Sequence, residues 1–153
     1  MKKMDENGLL LCKYQARLFE YSTTKNISSK QFIKDFSYSN LSKRMGNVSF
    51  LFETLDTAGA YLEIEENKPF KKGEVYNETI ISWIGYIYRY TCYIYEKDMK
   101  DIYKKIKPQE LYDLYDAYHS LDNELAIKRI LEAKNIDFNN KNATNLLKKY
   151  YNL

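Results

Sequence analysis

Histidine and tryptophan occur once each in these 153 residues, cysteine and proline twice each, and glycine five times. A lone imidazole, His119, excludes any site that needs two. The two thiols, Cys12 and Cys92, stand apart with no ligand spacing around them, so neither a zinc site nor a disulfide framework is expected. Without an export signal they read as small core hydrophobes. So few prolines and glycines cannot supply a β-sandwich, which needs turn residues every ~8–12 positions. A long apolar run is missing too. Thr79 to Tyr95 comes nearest, but it falls short of the ~20 residues of a spanning helix. It also places Arg89 near its middle, at a cost of about 2.5–3.5 kcal/mol in a bilayer centre. Five tyrosine hydroxyls in the same stretch would find no partner in lipid.

Charge of one sign is also lacking. The net charge is +3, and only four of the 24 basic residues are arginine, the side chain suited to phosphate and base recognition. A nucleic-acid partner is therefore disfavoured. The charged start, Met1-Lys2-Lys3-Met4-Asp5-Glu6, precedes only a short apolar run, Leu9 to Cys12. No signal peptide is expected, and a cytoplasmic protein without a membrane partner is.

What the chain does have is helical spacing and caps. Leu10, Leu11, Tyr14, Leu18 and Tyr21 make one helical stripe, with Gln15 and Arg17 off it. Ser28-x-x-Gln31 has the form of a capping box before Phe32, Ile33 and Phe36. Ser39 starts another turn through Leu41 and Met45, with Gly46 as a left-handed stop. Asp56 caps a helix through Ala60, Tyr61 and Ile64, and Asn67 to Tyr76 reads as a loop and a hinge. Asn77 then caps a helix apolar on both sides, with Gly85 admitting another backbone closely. Asp98, Pro108 and Asp122 open three more helices, the last with Leu125, Ile127, Ile130 and Leu131 inward.

The expected fold is all-α. One bundle of about six or seven helices surrounds a buried central helix over about 77–96. The helical domain covers 1–136. A polar tail, 137–153, has room for a short terminal helix around Leu146, Leu147, Tyr150 and Tyr151.

Chemistry is sparse. No metal site, cofactor or catalytic motif is evident. Arg89 admits two readings: beside a ligand's anionic group, or paired with a carboxylate from a neighbouring helix. His119, next to Asp116 and Asp122, admits a catalytic role with Arg89 on a nucleotide or modified macromolecule. It also fits a structural role at a helix end. An Arg-x-x-x-x-His pair on one helix is absent, which weighs against an enzyme. A third alternative, nucleic-acid binding, would use Lys104, Lys105 and Lys107 together with the tyrosines. The acids Glu53, Asp56, Glu63, Glu65 and Glu66 read as a solvated face.

Four stretches carry a resemblance. Lys13-Tyr14-Gln15-Ala16-Arg17, Ser28-Ser29-x-x-Phe32-Ile33, Ser82 to Tyr90 and Tyr118-His119-Ser120-Leu121-Asp122 resemble a family of small helical proteins of Gram-positive bacteria. The chain departs from it at Tyr93 and in the Asn/Lys-rich tail after Asp137. That family is similar to components of toxin–antitoxin operons. The resemblance implies a protein-interaction module, an antitoxin or accessory subunit that neutralises a partner toxin, ADP-ribosyltransferase-like, by direct binding. The expected interaction residues are Tyr86, Tyr88, Arg89, Tyr90, Tyr93, Tyr118 and His119. Self-association is left open.

Overall fold

A computed structural model describes residues 1–140. Within them every regular element is helical, and the order is α1 (Glu6–Ser22), α2 (Ser29–Ser37), α3 (Asn40–Arg44), α4 (Thr57–Asn67), α5 (Glu78–Tyr95), α6 (Met99–Lys105), α7 (Pro108–Tyr118) and α8 (Asn123–Ala133). Short 3-10 turns lie at Thr23–Lys25, Val48–Glu53 and Phe138–Asn140. The all-α bundle is as expected, and the described residues hold eight α-helices where about six or seven were expected, because the turn after Ser39 forms a helix of its own. Among the described residues no helix is long and apolar enough to cross a membrane.

The caps explain the boundaries. Asn77 Oδ1 accepts from the amides of Thr79 and Ile80, and Asp56 and Asp122 accept from Gly59 and Leu125 in the same way. Each cap satisfies donors that the first turn leaves orphaned. Pro108 opens α7 where its missing N–H is not needed. The capping box is only half formed. Ser28 Oγ accepts from the Gln31 amide, but the Gln31 side chain turns to Asp35 and to the Lys71 amide. Asp98 occupies the cap position of α6, yet its side chain caps nothing. Nor is Gly46 left-handed. The positive φ values belong to Asn26, Thr54, Glu96 and Asn135, and Glu96 ends α5 in that conformation.

At the centre lies α5, with twelve of its residues buried from Ile81 to Tyr95. Helix α1 runs antiparallel along it, and the two approach through glycines. A Cβ on Gly85 would stand 2.9 Å from the Gln15 carbonyl oxygen and 2.9 Å from Phe19 Cγ, and one on Gly8 would stand 2.6 Å from Tyr93 Cε1. Close approach moves the buried face of α1 round from the expected stripe. Leu11, Cys12, Gln15, Ala16, Leu18 and Phe19 are inside, while Leu10 is left 45% exposed.

The remaining helices close the core around this pair. Phe19 packs edge-on against Phe32 and Phe36, and Phe32 meets Tyr61 and Phe70. The Asn67 to Tyr76 loop is no hinge. It is strapped to the start of α2 by bonds from Ser28 and Ser29 amides to the Lys71 and Glu74 carbonyls, and from the Tyr76 amide to Ser29 Oγ. Leu125, expected inside, is 40% exposed at the first turn of α8. Phe138 rests against Tyr95, so the first residues assigned to the tail belong to the fold. The proposed terminal helix around Leu146 to Tyr151 lies outside the described residues.

Candidate functional site

The crossing of α1 and α5 holds a buried polar knot. Arg89 is only 2% exposed, and Gln15 is fully buried. Arg89 Nε donates to Gln15 Oε1 at 2.7 Å, and Nη2 donates to Ser42 Oγ at 3.1 Å and to the Ser42 carbonyl at 3.4 Å. Gln15 Nε2 in turn donates to the Gly85 carbonyl at 3.0 Å. Three helices (α1, α3 and α5) thus meet on one guanidinium. Its protein partners are neutral: among the described residues no carboxylate lies within ion-pair distance of Arg89. The expected pairing with an acid from a neighbouring helix is replaced by an amide and a hydroxyl.

Gln15 is the member of this knot that the helical stripe missed. Leu11, Gln15, Leu18 and Ser22 lie at i, i+4, i+7 and i+11, so one face was available on which Gln15 could be read as buried. The polar side chain argued against that face, and Arg89, far along the chain, supplies the reason it belongs there.

The tyrosines of α5 mostly serve the interior. Tyr88 is fully buried and donates to the Ile106 carbonyl at 2.6 Å, tying α5 to the end of α6. Burial raises its phenol well above the ordinary value. Tyr93 donates to Asp5 Oδ1 at 2.6 Å, and Asp5 also accepts from the Gly8 amide as the cap of α1. The Tyr93 hydroxyl, followed by the Gly8 amide, holds the Asp5 carboxyl below its usual range. Burial, then Asp5, pushes the Tyr93 phenol up to about 12. Tyr90 is buried as well, so Tyr88, Arg89, Tyr90 and Tyr93 present little to a partner. The reason is the second half of α5, which is buried without a break from Ile87 to Tyr95. Tyr86 and Tyr118 are half-buried, and His119 is exposed.

Replacing Tyr88 with Phe leaves the Ile106 carbonyl without its donor. An expected loss of about 1–3 kcal/mol follows, measured by urea unfolding. The thiols near Arg89 yield another expected result. Burial raises Cys12 to about 12 and Cys92 to about 11, with the Arg89 charge acting in the opposite direction. Both should resist alkylation in the native protein at neutral pH and react once it is unfolded, as mass spectrometry of labelled protein would show.

His119 stands elsewhere. Its ring stacks on Tyr115 at 4.2 Å, and Nδ1 lies 2.7 Å from the Tyr115 carbonyl, to which it donates. The cavity beside Arg89 does not include His119 in its wall. The acids Glu53 and Glu63 are taken by Arg44, which forks onto Glu63 at 2.9 Å through both terminal nitrogens. Among the described residues no three His, Cys, Asp or Glu side chains are grouped to hold a metal.

A second feature escaped the sequence reading. Phe52 is 84% exposed. Its neighbours are pinned: Asn47 caps the Ser49 amide, Phe50 packs edge-on against Tyr14 at 5.2 Å, and Glu53 accepts from Arg44. Its chain neighbours Phe50 and Leu51 line a cleft of about 420 Å³ together with Tyr14, Arg17, Leu55 and Asp56, among others, while Phe52 itself is not in the wall. The signal was the run Phe50-Leu51-Phe52. Three consecutive apolar residues in one tight turn cannot all face inward.

In comparisons with known proteins, no family model, curated protein or solved structure matches this chain.

Proposed function

We propose that this chain is a protein-binding module whose partner docks on the surface formed by Phe52 and the adjoining cleft. The exposure of Phe52 on a fixed segment carries this reading. A single apolar side chain in water is ordinary. Here, however, the ring is carried by the same short turn whose Phe50 and Leu51 line the groove, and that turn is already ordered, so little entropy is lost when a partner covers it. Arg17 and Asp56 border the groove and can fix the orientation of a partner's polar groups. An aromatic anchor beside a groove and a polar rim are the usual parts of a binding hot spot.

A toxin as that partner, ADP-ribosyltransferase-like and neutralised by being covered, is the narrower form of the proposal. It is supported by the resemblance of the four sequence stretches alone. Co-expression with the product of the adjacent gene tests both. The wild-type protein should co-elute with it in size-exclusion chromatography at micromolar concentration. Phe52→Asp should elute apart while its stability stays within about 0.5 kcal/mol of wild type, since the ring supports nothing inside. Separate elution of the wild type would contradict the toxin reading. Unchanged co-elution of Phe52→Asp would contradict the surface.

A further inference from the structure

The charge on Arg89 is enclosed without an acid to balance it, and one of its nitrogens remains available. Nε and Nη2 are engaged by Gln15 and Ser42. Nη1 donates to nothing among the described residues. It is not sealed in either, because the one side-chain nitrogen or oxygen there that is both sealed and unpaired is Trp83 Nε1. Arg89 stands in the wall of a cavity of about 150 Å³ between the chain start, the turn after α3 and the junction of α5 with α6. Lys2, Lys97, Glu96, Asp98 and Gly46 line it as well. Lys2 is fixed there by the hydrogen bond that its backbone N–H donates to the Ile94 carbonyl and by its ammonium lying 4.0 Å over the Tyr93 ring.

Size and charge narrow the occupant. The volume is far below the ~300–1,000 Å³ of sites that take a drug-sized ligand. A nucleoside does not fit; a tetrahedral oxoanion does. Three cationic residues line the space, and a buried guanidinium without a counter-charge favours an anion strongly. The two carboxylates add a condition. An ionised carboxylate only accepts hydrogen bonds, so it tolerates an anion that still carries a proton and repels one that does not.

We propose that this cavity binds inorganic phosphate in its protonated forms. Arg89 Nη1 and the Lys2 and Lys97 ammoniums meet the charged oxygens, and the P–OH group donates to Glu96 or Asp98. The rival occupant is Asp98 itself, whose side chain caps nothing in α6 and could turn inward to Arg89.

Titration of the whole chain with inorganic phosphate, read by calorimetry and by phosphorus NMR at constant ionic strength, decides between them. Saturable binding is expected, with sulfate weaker by about tenfold or more, the worth of one charge-assisted hydrogen bond. Lys97→Gln, a change at a half-buried position, should weaken phosphate binding by about fivefold or more and leave the helical circular dichroism unchanged. Absence of saturable binding would overturn the proposal. So would equal binding of sulfate, or an unaltered affinity in Lys97→Gln. Asp98→Asn lowering stability in a protein that ignores phosphate would assign the counter-charge to Asp98.

Discussion

Gly85→Val should lose about 4 kcal/mol or more, a large share of the ~5–15 kcal/mol that holds a domain of this size together. A Cβ alone would stand 2.9 Å from both a backbone oxygen of α1 and the Phe19 ring. Neither is the loose end of a flexible side chain, so α1 as a whole would have to retreat from α5. The branched carbons of Val enlarge the overlap and add the poorer helix propensity of a β-branched residue. Ala separates the two contributions. It regains about 1 kcal/mol of helix propensity relative to Gly. It still meets the same oxygen, and a net loss of roughly 1–2 kcal/mol is expected. Guanidinium unfolding of the three proteins checks the series. Gly85→Ala as stable as wild type, or more so, would mean that the helices are not in contact there.

Gln15→Leu is expected to be the next most damaging change, at about 3 kcal/mol. The shapes are alike, so little of the loss comes from packing. Arg89 would keep its buried charge and lose the acceptor for Nε, while the Gly85 carbonyl would lose a second donor. The double variant Gln15→Leu/Arg89→Met removes the stranded charge together with its partner. It should therefore recover stability relative to Gln15→Leu, because exchanging a buried polar group and its partner for apolar ones is often close to neutral. A coupling energy of about 0.5–3 kcal/mol between the two positions is the expected outcome of the double-mutant cycle. Strict additivity would mean that Gln15 and Arg89 do not act as one unit.

Local chemistry in the sequence was a sound guide to the helices and a poor one to the site. Asp56, Asn77, Pro108 and Asp122 mark helix starts because each acts within three residues of itself. Gly85 signalled a close approach because a glycine inside a helix otherwise only costs stability. The partners of Arg89 were not legible. Gln15 and Ser42 come from helices distant in sequence, and neither is the acid that a buried cation would ordinarily recruit. Tyr88, Tyr90 and Tyr93 looked like docking residues, since a tyrosine reads the same whether its hydroxyl ends in water or on a buried acceptor. Ile106 and Asp5 are those acceptors for Tyr88 and Tyr93. Gly46 looked like a left-handed stop, but the chain leaves α3 without a positive φ there. The loop from Asn67 to Tyr76 looked like a hinge because Pro69 and Gly73 stand there among lysines. It is held by its own backbone, which the side chains do not reveal.

Amide hydrogen exchange on the intact chain tests most directly the claim on which the rest depends, that α5 is the covered centre of the bundle with α1 laid along it. The amides from Ile84 to Cys92 should be the slowest in the molecule, exchanging only when the whole fold opens, with those of Leu11 to Phe19 close behind. Exchange in α5 as fast as in the exposed 68–75 loop would contradict it.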